Sequence, residues 1–105
     1  MIDTEITLNA VSKVTGISEG KILSRSRLWP LIEARMLLVL SLSRIGQDDQ
    51  MIADLLGRNR TTILHLRHNA ENYIEISKTF KDKFDKVSSL YDTAKSIRSS
   101  KDIRS

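Results

Sequence analysis

The apolar run Met51-Ile52-Ala53-Asp54-Leu55-Leu56 ends on Gly57, and Asn59 then opens Arg60-Thr61-Thr62-Ile63-Leu64-His65. Glycine can stop a helix in a left-handed conformation that other residues avoid. Asparagine caps the next helix by accepting from one of its first free N–H groups. Two helices are therefore expected to meet across a very short turn, the grammar of a helix-turn-helix at about residues 48–74. That junction constrains the fold more than any other feature of the chain.

The rest reads as helix too. One proline, four glycines and no sustained alternation leave little room for strands. A first helix is expected over Thr4 to Val14, with Ile6, Ala10 and Val14 on one side, broken by Thr15-Gly16. Ser18 then caps a short helix from Glu19 to about Ser24. Pro30 suits the first turn of a third helix, Leu31 to Arg44. Its middle, Met36-Leu37-Leu38-Val39-Leu40, is apolar all round and marks the central helix. Asp48 or Asp49 caps a fourth helix ending near Leu56. The helix from Arg60 to about Ile74 carries a buried stripe of Ile63, Leu66, Ala70 and Tyr73, leaving Thr61, Thr62, His65 and either His68 or Asn69 outward.

A last helix is expected over Lys78 to Ile97. Its stripe Phe80–Phe84–Val87–Tyr91–Ala94 either folds back on the domain or pairs with a second copy in a homodimer. The fold class is thus all-α, five or six helices with a helix-turn-helix and a long C-terminal helix. It forms one domain over residues 1–98, followed by a flexible polar tail at 99–105.

Charge points to a partner. The net charge of +4 is moderate, but its distribution is uneven. Residues 20–32 contain Lys21, Arg25 and Arg27 and no acid, and residues 55–70 contain Arg58, Arg60 and Arg67 and no acid. Between them Arg35 and Arg44 stand against Glu33, Asp48, Asp49 and Asp54. Two basic segments flanking a helix-turn-helix fit double-stranded DNA, one on each side of the inserted helix. Arg60, Thr61 and Thr62 would then lie in the first turn of the reading helix, within reach of phosphates or base edges. Five or six phosphate contacts would make log affinity fall against log salt with a slope of about −5. Lys21, Arg35 and Arg44 are weaker phosphate candidates, and Arg44 equally suits the C-terminal end of the central helix.

The same turn resembles the signature of the C-terminal DNA-binding domain of DnaA, the bacterial replication initiator, around Gly-Gly-Arg-Asp-His-Thr-Thr-Val-x-His. Gly57, Arg58, Thr61, Thr62 and His65 match outright, and Ile63 replaces valine conservatively. Val11 through Ser18 and Ile22 through Arg25 resemble the family's first two helices and basic loop. The resemblance covers about residues 2–87. It implies that the loop sends an arginine, Arg25 or Arg27, into the minor groove. It also implies DNA contacts from Arg58, Asn59, Arg60, Thr61, Thr62 and His65.

Three departures matter. One glycine of the family's pair is missing or replaced by Leu56, so a tighter turn is expected. Asn59-Arg60 replaces the family's Asp-His, and arginine donates to guanine where aspartate accepts from cytosine, so a changed base preference is expected. None of Gly16, Gly20, Gly46 or Gly57 opens a Gly-x4-Gly-Lys phosphate loop, so no nucleotide cofactor and no ATPase part are expected. The chain reads as a free-standing DNA reader of a phage, a mobile element or a small regulator, acting in replication or transcription control.

Other chemistry has little support in the residues. No cysteine is present, so disulfides and thiolate metal sites are excluded and a reducing, cytoplasmic setting fits. Asp3 and Glu5 argue against a signal peptide, and Met36 to Leu40 is too short to span a bilayer. His65 and His68 share a helix face but lack a third ligand for a metal. No nucleophile–base pattern points to an enzyme. Trp29 reads as a partly buried anchor between helices. The competing class is a helical protein-interaction module, a decoy or adaptor for a replication or regulatory protein. Such a module would be expected to expose more apolar surface.

Overall fold

A computed structural model describes the backbone of residues 2–104 and the side chains of residues 3–97. Among the described residues six helices follow one another: α1 Ile2–Thr15, α2 Glu19–Ile22, α3 Trp29–Arg44, α4 Asp49–Leu56, α5 Arg60–Ile76 and α6 Lys78–Arg104. No strand occurs among the described residues. The fold is all-α, and no described helix is long and apolar enough to cross a membrane.

Local chemistry sets most of the boundaries. Ser18, Asp48 and Asn59 each accept a backbone N–H from three residues on, starting α2, α4 and α5. Pro30 lies in the first turn of α3, where its missing N–H costs nothing. Gly57 ends α4 at φ 62°, and the Arg58 N–H closes back on the Ala53 carbonyl at 3.0 Å. Ser77 leaves α5 in an extended conformation, and its hydroxyl oxygen accepts the Phe80 N–H at 3.2 Å to start α6.

α3 is the central element. Ala34 to Leu42 are buried without interruption, so this helix is covered on every side. α1, α5 and α6 pack against it, α6 also lies along α1, and α4 rests on α5. The α5 stripe is anchored as expected, with Ile63 and Ala70 fully buried and Leu66 and Tyr73 against the core.

The α6 stripe is taken up by the same chain. Phe80 and Val87 are fully buried, with Phe84 against the same core. Tyr91 is half-buried and donates its hydroxyl to Asp3 at 3.0 Å. Lys95 binds the same carboxylate at 2.8 Å, which ties α6 to the start of α1.

Several boundaries differ from the sequence reading: α1 begins at Ile2 and α3 at Trp29, each two residues early, and α1 ends at Thr15. α2 stops at Ile22 instead of Ser24, because the carbonyls of Ile22, Ser24 and Ser26 are diverted to the Arg35 guanidinium. α5 runs on to Ile76, and the backbone of α6 continues through Arg104. Residues 99–104 thus continue the last helix as backbone; their side chains, and Ser105, lie outside the described residues.

Candidate nucleic-acid interface

Two backbone segments converge at one end of the molecule. One is the loop from Leu23 to Leu28, between α2 and α3. The other is the turn Gly57-Arg58-Asn59, between α4 and α5.

Arginines hold these segments together. Arg35, only 6% exposed, donates Nε to the Ile22 carbonyl at 2.8 Å and Nη1 to the Ser26 carbonyl at 2.6 Å. Its Nη2 donates to the Ser24 carbonyl. The carbonyls of a loop that makes few hydrogen bonds of its own are thereby given fixed donor partners. Arg58 completes the seam, donating to the Leu56 carbonyl at 3.1 Å and to the Ser24 carbonyl at 3.0 Å. Burial pushes the Arg35 pKa down, and the nearby charge of Arg58 adds to the effect. An arginine nevertheless keeps its charge at any physiological pH.

The seam forms the floor of an open cleft between loop and turn. Arg25, Arg27, Arg58, Asn59 and Thr62 all line it, with Ile32 and Leu66 as its apolar wall. Arg25 and Arg27 are exposed, and Arg25 makes one long bond to the Gly57 carbonyl, at 3.4 Å. Arg60, Thr61 and His65 lie outside that lining, exposed on α5. Asn59 and Thr62 are occupied locally. The Asn59 carboxamide oxygen accepts both the Thr62 N–H, at 2.8 Å, and the Thr62 hydroxyl, at 3.0 Å.

The predicted residues thus divide by what they already bind. Arg25, Arg27, Arg60, Thr61 and His65 present exposed side chains, whereas Arg58, Asn59 and Thr62 help build the turn. Arg35, a phosphate candidate by sequence, is instead a buried brace, because its charge is satisfied by loop carbonyls. A signal for this existed: an arginine directly before an all-apolar helical run has no exposed face to occupy.

Two further basic residues are committed elsewhere. Arg67 makes a two-point bond to Asp49, both distances 3.0 Å, and a bond of 3.1 Å to Glu71. Hydrogen bonds from Arg67 hold the Asp49 carboxyl below its ordinary value, with smaller help from the charges of Arg60 and His68. Arg44 stands 5.4 Å from the centre of the Phe84 ring. Among the described residues no group of three side chains is placed to hold a metal.

Trp29 is more exposed than an interhelical anchor, at 53%, but it is not loose. Its ring meets Tyr73 edge-on at 5.9 Å, and Tyr73 packs on Phe80 at 4.9 Å. No protein-family model matches the chain, and no curated protein matches it either.

Proposed function

We propose that the protein binds double-stranded DNA without catalysis, through α4, α5 and the loop before α3. The observation that carries this reading is a cleft walled by Arg25 and Arg27 beside a helix start that exposes Arg60 and Thr61. Acids are absent from both contributing segments, residues 20–32 and 55–70. Arg25 and Arg27 supply phosphate contacts, and Arg60 and Thr61 supply base preference from the first turn of α5. His65 stands one turn further along the same exposed face.

The resemblance to the initiator's DNA-binding domain supports the same reading and suggests control of replication or transcription, on a chromosome, a phage or a mobile element. The Asn59-Arg60 pair argues for a site different from the initiator's own.

Selection from random duplex DNA at moderate salt tests this, with Arg60→Ala beside the wild type. A defined motif that blurs in the variant, with a loss of about 1–3 kcal/mol on the preferred site, is the expected result. Absence of any enrichment or salt-dependent retention sinks the proposal. The second reading is the protein-interaction module, favoured by the exposed side chains of Leu28, Trp29 and Ile76. Salt-insensitive binding to a protein, with no retention of DNA, would select it.

A further inference from the structure

Leu28 and Trp29 are consecutive, large, apolar and exposed, at 68% and 53%. They end the loop that carries Arg25 and Arg27 and begin α3. The Leu28 backbone is fully engaged. Its carbonyl accepts the N–H groups of Leu31 and Ile32, and its own N–H donates to the Ser26 hydroxyl oxygen. Trp29 rests on an aromatic ladder through Tyr73 to the fully buried Phe80. The pair therefore stands on rigid support, and solvent exposure of its apolar area gains the isolated chain nothing.

Charge selects the occupant. Residues 20–32 contain no acid, and the side chains preceding the pair include the exposed Arg25 and Arg27. A polyanion with apolar surface between its charges fits both features, and a nucleic-acid duplex with stacked bases between phosphates is such a ligand. Resting on the duplex-binding reading above, we propose that Leu28 and Trp29 form an apolar wedge against a base step while Arg25 and Arg27 hold the flanking phosphates.

The chemistry follows from the side chains. An apolar group pressed between base steps partly unstacks them and kinks the duplex by about 20–90°. Pyrimidine–purine steps yield most easily, so the preferred site should contain one at a position no hydrogen bond reads. Leu28, the more exposed of the two, is the wedge; Trp29 offers an indole face to the unstacked base.

The experiment measures duplex bending by energy transfer between end labels, using the full chain and the motif recovered by selection. Wild type, Leu28→Ser and Ile97→Ser are compared; Ile97 is an exposed apolar residue on α6 and serves as the control. Expected are a bent duplex with wild type and Ile97→Ser, and a nearly straight one with Leu28→Ser at about tenfold weaker binding. The selected motif should persist in Leu28→Ser apart from the flexible step. Trp29 is the chain's sole tryptophan, so quenching of its fluorescence on binding gives a second readout.

A straight duplex under the wild type, or an unchanged bend with Leu28→Ser, overturns the wedge while leaving duplex binding intact. Self-association lost in Leu28→Ser, with DNA remaining straight, also overturns it and assigns the patch to a second copy. Failure of duplex binding itself is recognised separately, as the absence of any selected motif.

Discussion

Arg35 and Arg58 donate to the same acceptor, the Ser24 carbonyl oxygen, at 2.5 and 3.0 Å. Two like charges converge on one backbone oxygen, and that oxygen lies in the loop that carries Arg25 and Arg27. The rigidity of the cleft therefore depends on cations already bonded within the protein. Replacing Arg35 by alanine strips the carbonyls of Ile22, Ser24 and Ser26 of a donor in a buried setting. The expected loss is about 2–4 kcal/mol in urea unfolding, and Arg35→Lys should recover little of it because one ammonium does not reproduce a planar fork. A loss below about 0.5 kcal/mol would show that the brace is dispensable.

Salt dependence should be shallower than the basic residue count suggests. Arg35, Arg58 and Arg67 are bonded within the protein, which leaves Arg25, Arg27 and Arg60 as the exposed arginines at the interface. With Arg60 assigned to base edges, two neutralised phosphates, at Arg25 and Arg27, give a log–log slope of about −2, in place of the −5 expected from the sequence. Titrating affinity against salt checks this, and a slope near −5 would bring further basic side chains into the contact.

Gly57 sits at φ 62° and ψ 37°, with open space where a side chain would begin. The cost of a substitution is therefore conformational and not steric crowding. Gly57→Ala should destabilise by about 1–2 kcal/mol, and Gly57→Asn by less, since asparagine tolerates this region. Thermal unfolding of both variants measures the difference; equal losses would contradict it.

Acid should weaken the fold. Bonds from Arg67 lower the pKa of Asp49, and bonds from Lys95 and then Tyr91 lower that of Asp3, each from an ordinary 3.8. A depressed carboxyl contributes stability fully above its unfolded value and loses it as pH falls through the folded value. Stability should thus decline below about pH 4, and Asp49→Asn with Asp3→Asn should flatten that limb. Tyr91 acts in the opposite sense: burial, then Asp3, raises its pKa above an ordinary 10.0, so its contribution is present below that value and lost as pH rises further. Chemical denaturation across pH reads both limbs, and an unflattened acid limb in the double variant would assign it to other carboxylates.

What could be read from the sequence was what local chemistry decides. Ser18, Asp48 and Asn59 cap their own helices, Gly57 ends α4, and the burial of Met36 to Leu40 follows from an unbroken apolar run. The partners of Arg35 and Arg67 were not legible, because they lie on other elements and depend on packing. The same holds for the early end of α2, where Arg35 competes for carbonyls that a helix would otherwise use. Trp29 was readable as an anchor only in part: its contact with Tyr73 is real, but the exposure of Leu28 beside it has no period to reveal it.

The helix that seals the core also sets when the fold can be completed. Phe80 and Val87 fill fully buried sites, and the Asp3 carboxylate is bonded by Tyr91 and Lys95. A ribosome must therefore extrude the C-terminal helix before the N-terminal one can settle. Until then α5 lacks the Phe80 ring against its Tyr73, and its apolar stripe stays open to solvent.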